Sequence, residues 1–299
     1  MQLKPSKTLA IKAAIKLTPQ YSEWIKEIQK NPTPSFFKTE VLAIQKNIGG
    51  YVLMYDDERK INRALFLALM GEERFQEYNA EIEALSSEEQ QKWLEEMADP
   101  DNQFAEDIVK IEIPDDPIEW QKAREALALL PEDERMLVEK QSAFFWCFTF
   151  SSFFNTLSVM VHGSKLTNLV PQALAGNDDA FLKAIQIDRM LLLHYPFFRD
   201  RKFKAQDEGD ADFLAKIAYR ESNPIIRSSI RYPALYMLFS ILDIYRWLDE
   251  LKHKEILKIC DDAGLDRFQN RIDDVGYLTK RLVEFRKWQN VRDLSMQSN

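Results

Sequence analysis

Glycine, histidine and cysteine are scarce in this chain, and each scarcity excludes something. Eight glycines and twelve prolines in 299 residues supply few turns. A sheet protein of this length needs more, whereas long helices with few breaks do not. The two cysteines, Cys147 and Cys260, lie far apart in apolar helical patterns. That excludes a disulfide framework and leaves two buried thiols as the expectation. The three histidines, His162, His194 and His253, are never within four residues of one another, so no zinc-type pair forms on one helix. Gly-rich phosphate turns and the Glu-x-x-His pattern of carboxylate metal bundles are also missing. Adjacent acids such as Asp261-Asp262 and Asp273-Asp274 diverge by about 100° on a helix and form no two-carboxylate site. No catalytic residue, metal or cofactor is therefore expected. The first apolar run, Leu9 to Leu17, is broken by Lys12 and Lys16, unlike a secretory signal, so a reducing cytoplasm is the expected location.

The most informative absence is local. Between Lys140 and Lys165 there is no Asp, Glu, Lys or Arg, and seven aromatics crowd residues 144–154. The gap is about long enough to cross a bilayer. Its pattern argues for a buried helix in a protein instead. Trp146, Phe150, Phe153, Phe154, Leu157, Met160 and Val161 share one face, while Ser151, Asn155, Ser158 and His162 share another. A lipid-facing span is apolar all round. The flank is also acidic, with Glu132, Asp133, Glu134 and Glu139 ahead of the gap, and shows no basic bias. Residues 142–162 are thus expected to be the central helix of an all-α, multi-helix protein, and no membrane span is expected.

Charge is unevenly spread. Residues 71–140 hold 22 acidic and 7 basic residues, a net of −15; residues 1–70 net +5 and residues 141–299 net +2. This predicts two parts. Residues 1–140 form a helical N-terminal region whose segment 71–140 has an acidic outer face, and residues 141–299 form a helical core domain. The acidic face is solvated or meets a basic surface.

Along the chain, residues 6–30 read as one helix or two, with Pro19 as the point of division. Asn31-Pro-Thr-Pro-Ser35 is a break. Residues 35–70 carry apolar residues at helical spacing, interrupted at Gly49-Gly50. Ser86 has the look of a helix cap followed by acids. Residues 108–113 are the only credible strand. Leu130-Pro-Glu-Asp-Glu134 starts a helix directly ahead of the central one. In the C-terminal half, Gly176-Asn-Asp-Asp-Ala-Phe181-Leu182 is echoed by Gly209-Asp-Ala-Asp-Phe213-Leu214, and His194-Tyr-Pro196 by Arg231-Tyr-Pro233. Two explanations fit: a solenoid-like repeat of helical hairpins, or reuse of good helix-start chemistry.

Two constellations are candidate sites. Asn155, Ser158 and His162 form a polar pocket on the central helix, without a nucleophile motif; His162 also suits a helix end, where its ring meets the dipole. Further on, Glu255 to Gly264 has the cadence of the first helix and turn of a helix-turn-helix. Asn270 stands where a buried aliphatic is needed, and Asp273-Asp274 would repel phosphate. Basic residues follow at Lys280, Arg281, Arg286 and Lys287, the candidate nucleic-acid contacts, on a helix shared with Leu282, Phe285 and Trp288. The first expectation is a non-catalytic helical protein that binds another macromolecule, most of all a protein partner. The alternative is a nucleic-acid-binding regulator using residues 277–292. The third is an enzyme built on the polar face of the central helix.

Overall fold

In the computed structural model of the chain, residues 7–30, 55, 67, 72–90, 92, 122, 125, 126, 128–222, 232–265, 268 and 274–297 are described. Among them the protein is all-helical, with no strand. The helices are α1 (Lys7–Lys30), α2 (Glu72–Glu83), α3 (Glu132–His162), α4 (Leu166–Leu174), α5 (Asp178–Ile187), α6 (Leu191–His194), α7 (Pro196–Asp207), α8 (Ala211–Ser222), α9 (Pro233–Ile244), α10 (His253–Asp262) and α11 (Val275–Gln297). No helix among the described residues is long and apolar enough to cross a membrane. The expected strand at 108–113, the break at 31–35, the Gly49-Gly50 interruption, Asn270 and Asp273 lie outside the described residues.

The chain forms two compact units, Met1–Lys38 with Phe150–Asn299, and Thr39–Thr149. The boundary read from the sequence, at residue 140, falls inside α3.

In the first unit, α1 runs unbroken through Pro19. Proline removes one helical N–H, and nearby Ser22 Oγ donates to the Thr18 carbonyl at 2.6 Å. Helix α1 packs on α9 and α10, α4 on α5, α5 on α8, α7 on α8, and α10 on α11. Residues Phe150, Phe153, Phe154, Leu157, Met160 and Val161 of α3 are all buried, as their shared face requires. Tyr21 and Trp24 of α1 meet them edge-on. The Trp24 and Phe153 ring centroids are 5.1 Å apart, and those of Tyr21 and Phe153 are 5.2 Å apart. Each such pair adds about 0.5–1.5 kcal/mol to the burial of its rings.

A second apolar centre is α9, where Leu235 through Leu242 are buried without interruption. Its one polar residue in that run, Ser240, donates to the Tyr236 carbonyl at 2.8 Å, so the helix satisfies it internally. Helix α11 covers α9 with Phe285, whose ring centroid lies 5.1 Å from Tyr236 and 5.5 Å from Phe239.

The echoed segments begin α5 and α8. Gly176 and Gly209 both have positive φ, +93° and +69°, closing α4 and α7. Asn177 then accepts from the Ala180 N–H and Asp210 from the Phe213 N–H, each at 3.0 Å. Phe181 lies four residues after its cap and Phe213 three, so the copies differ in register by one residue. Their rings still meet, with centroids 5.4 Å apart. The two Tyr-Pro pairs place Pro196 and Pro233 at the first positions of α7 and α9.

In the second unit, Phe75 is the buried residue of α2. Ser86 and Glu89 form the expected reciprocal cap. The Ser86 N–H donates to Glu89 Oε2 at 2.8 Å and the Glu89 N–H to Ser86 Oγ at 3.3 Å. The hydrogen bonds from Ser86 hold the Glu89 carboxyl below its ordinary pKa. The acidic residues described between 72 and 134 are all exposed.

Candidate functional site

The polar face of α3 meets the turn into α4. Helix α3 ends at Gly163, where φ is +67° and the N–H donates to the Val159 carbonyl at 3.0 Å. Lys165, at the start of α4, offers no capping side chain. Asn155 supplies the missing acceptor from the helix before: its Oδ1 receives the Thr167 N–H at 3.0 Å and the Thr167 hydroxyl at 3.2 Å. Ser158 Oγ donates to the Ser164 carbonyl at 2.6 Å. From α11, Gln289 Nε2 donates to the Val159 carbonyl at 3.0 Å. His162 is buried one turn beyond Ser158, at the last residue of α3. Asn155 and Ser158 therefore meet at this turn and stitch it. Both lone-pair directions of the Asn155 oxygen are taken, and the Ser158 proton points at a carbonyl, which is no general base.

The four basic residues of α11 divide into two pairs. Arg286 is held in an ion-pair knot. Its Nη1 lies 2.8 Å from Asp243 Oδ2 and its Nη2 3.0 Å from Asp243 Oδ1, a bidentate fork. Nη2 also reaches Asp249 Oδ2 at 3.0 Å, and Nη1 reaches Gln289 Oε1 at 3.2 Å. The hydrogen bonds to Asp243, above all, raise the Arg286 pKa. Arg281 is buried between two rings, its guanidinium carbon 4.6 Å from the Tyr232 centroid and 4.9 Å from that of Tyr277, with Nη1 2.6 Å from Glu284 Oε2. Lys280 and Lys287 are exposed on the outer side of the same helix. Ahead of α11, α10 and the turn at Gly264 (φ +69°) are present, and Asp274 caps α11 by accepting the Tyr277 N–H at 3.0 Å.

The remaining reactive groups are held quiet. Cys147 and Cys260 are free, buried thiols, and burial pushes each up to about 12. Burial lowers the His194 pKa. His253 is exposed, with Nδ1 3.4 Å from Thr279 Oγ1. Among the described residues no group of His, Cys, Asp or Glu is placed to hold a metal ion.

The surface that sequence reasoning missed is the first third of α3. From Glu132 to Lys140 every residue is exposed or half-exposed. Met136, Leu137 and Val138 stand in water at 50%, 43% and 39% exposure, and Leu129 just ahead at 86%. Three consecutive helical residues sweep about 200° of the circumference, so this stretch is open on more than one side. Glu132, Asp133 and Glu134 precede it and Glu139 follows. The only signal in the sequence is that Met-Leu-Val interrupts a charged stretch without continuing any helical period.

No protein-family model, no curated protein and no solved structure matches this chain.

Proposed function

We propose that this chain is a non-catalytic helical protein that binds a protein partner, and that the first third of α3 is its contact surface. The observation that carries the reading is the exposure of Met136, Leu137 and Val138 among acidic residues. Burying each large apolar side chain is worth about 1.5–3 kcal/mol. A helix presenting such residues fits an apolar groove, the mode by which many proteins hold amphipathic helices. The acidic flanks select a groove with a basic rim. The nucleic-acid alternative draws less support, because Arg281 and Arg286 are spent on partners within the chain. The enzyme alternative draws less still, since Asn155 and Ser158 have backbone partners. Two free buried thiols suit a reducing compartment, consistent with a cytoplasmic setting.

The test is a photo-crosslinking residue at Leu137, with Glu81 on α2 as a control site, in cells of the native host. The reading expects a discrete protein adduct at position 137 that disappears when Met136 and Val138 are both changed to Ser. Failure to crosslink at 137, equal labelling at 81, or an adduct consisting of nucleic acid would refute it.

A further inference from the structure

We infer that the surface on α3 has a complement on the chain itself, the outer stripe of α11, and that two copies associate head to tail through them. This inference rests on the reading of α3 as a contact surface and names its occupant.

The two stripes match in spacing and are opposite in charge. On α3, Glu132, Met136 and Glu139 lie at i, i+4 and i+7 and so share one face. On α11, Lys280, Val283 and Lys287 lie at i, i+3 and i+7. Seven residues of helix rise about 10 Å in each case. One stripe is acid, apolar, acid; the other is base, apolar, base. The apolar centres, Met136 and Val283, are 50% and 48% exposed. The ion pairs of α11 are made by Arg281 and Arg286, which leaves Lys280 and Lys287 with none among the described residues. Laid side by side, the helices put a carboxylate against an ammonium at each end and close Met136 onto Val283 between them.

Because the two patches differ, the contact is heterologous and builds open chains or a ring rather than a two-fold dimer. Two short helical stretches bury less than the ~1,200 Å² of a stable interface, so the association is weak and concentration-dependent. Its ends are exposed ion pairs, so salt weakens it.

Sedimentation of the full chain over a range of concentrations, at about 0.05 M and about 0.5 M salt, reads this directly; the Debye length drops severalfold between the two. The average mass should rise with concentration at low salt, with the association at least about tenfold weaker at high salt. Two charge-reversed proteins, E132K/E139K and K280E/K287E, should each stay monomeric alone and associate when mixed, because mixing restores opposite charges at both contacts. All altered positions are on the surface, and an unchanged helical spectrum checks folding. A monomer at every concentration, or variants that self-associate as the unaltered chain does, would overturn the inference. A monomer that still gives a discrete adduct with a different protein at Leu137 would overturn the self-contact alone. A monomer with no such adduct would sink both readings.

Discussion

Asn155 caps a helix to which it does not belong. Its carboxamide oxygen accepts the Thr167 N–H at 3.0 Å, twelve residues ahead and across the turn at Gly163. The first residues of α4 have no acceptor of their own at Lys165, so the central helix supplies it. The polar face of α3 is thereby tied to the fold.

Removing that acceptor should cost what a lost cap costs. Asn155→Ala is expected to destabilise the protein by about 1–2 kcal/mol. Asn155→Asp keeps the oxygen and adds a negative charge at the positive end of α4, so it should lose much less. Denaturant midpoints of the two variants decide it; equal losses would mean that packing, and not the cap, is what Asn155 contributes.

Helix α11 should prove sensitive on one side and tolerant on the other. Phe285 is fully buried against Tyr236 and Phe239, and Phe285→Ala should cost about 3–5 kcal/mol. Lys280→Gln with Lys287→Gln should change stability by less than about 0.5 kcal/mol. The same double variant tests the nucleic-acid alternative: salt-sensitive binding of DNA or RNA that it abolishes would favour that alternative.

Arg286→Lys keeps the charge and loses the fork that grips Asp243. An ammonium cannot bridge both Asp243 oxygens, Asp249 and Gln289 at once. Half of the knot faces solvent, which moderates the loss to about 1–2 kcal/mol. A thermal melt indistinguishable from that of the unaltered protein would show that the fork contributes nothing.

Stability should fall in alkali. Burial raises the pKa of Cys147 and Cys260 from 9.0 to about 12 and also raises Tyr21 and Tyr245. Above pH 9 the unfolded chain sheds thiol protons that the folded chain keeps, so unfolding is favoured as pH rises from 9 towards 12. Each such group contributes a slope of about 1.4 kcal/mol per pH unit within that window, and none below it. Unfolding free energies at pH 7, 9 and 10.5 should be level across the first interval and drop across the second. A Cys260→Ala variant should show a shallower drop.

Much of this fold could be read from residues close together in sequence. The charge gap at 141–164 located the central helix, because a run of uncharged residues with an aromatic face has nowhere to go but inside. Gly-Asx pairs located the starts of α5 and α8, since a left-handed turn and a side-chain acceptor act within four residues. What stayed hidden depends on distance. Arg286 finds Asp243 and Asp249 from 43 and 37 residues away, so its basic character read as available for phosphate when it is committed at home. Asn155 read as a pocket residue because its partner lies beyond a turn. Helix α9 was missed as a second centre because it is short and apolar throughout, without the periodicity that marks a face.

The central claim is that something covers Met136, and oxidative footprinting of that side chain tests it most directly. In the dilute purified chain, Met136 should oxidise readily, as should exposed Tyr219 on α8. In the chain labelled inside its own cells, Met136 should be protected severalfold relative to Tyr219. Equal oxidation of Met136 in both settings would contradict the claim that the first third of α3 is a contact surface.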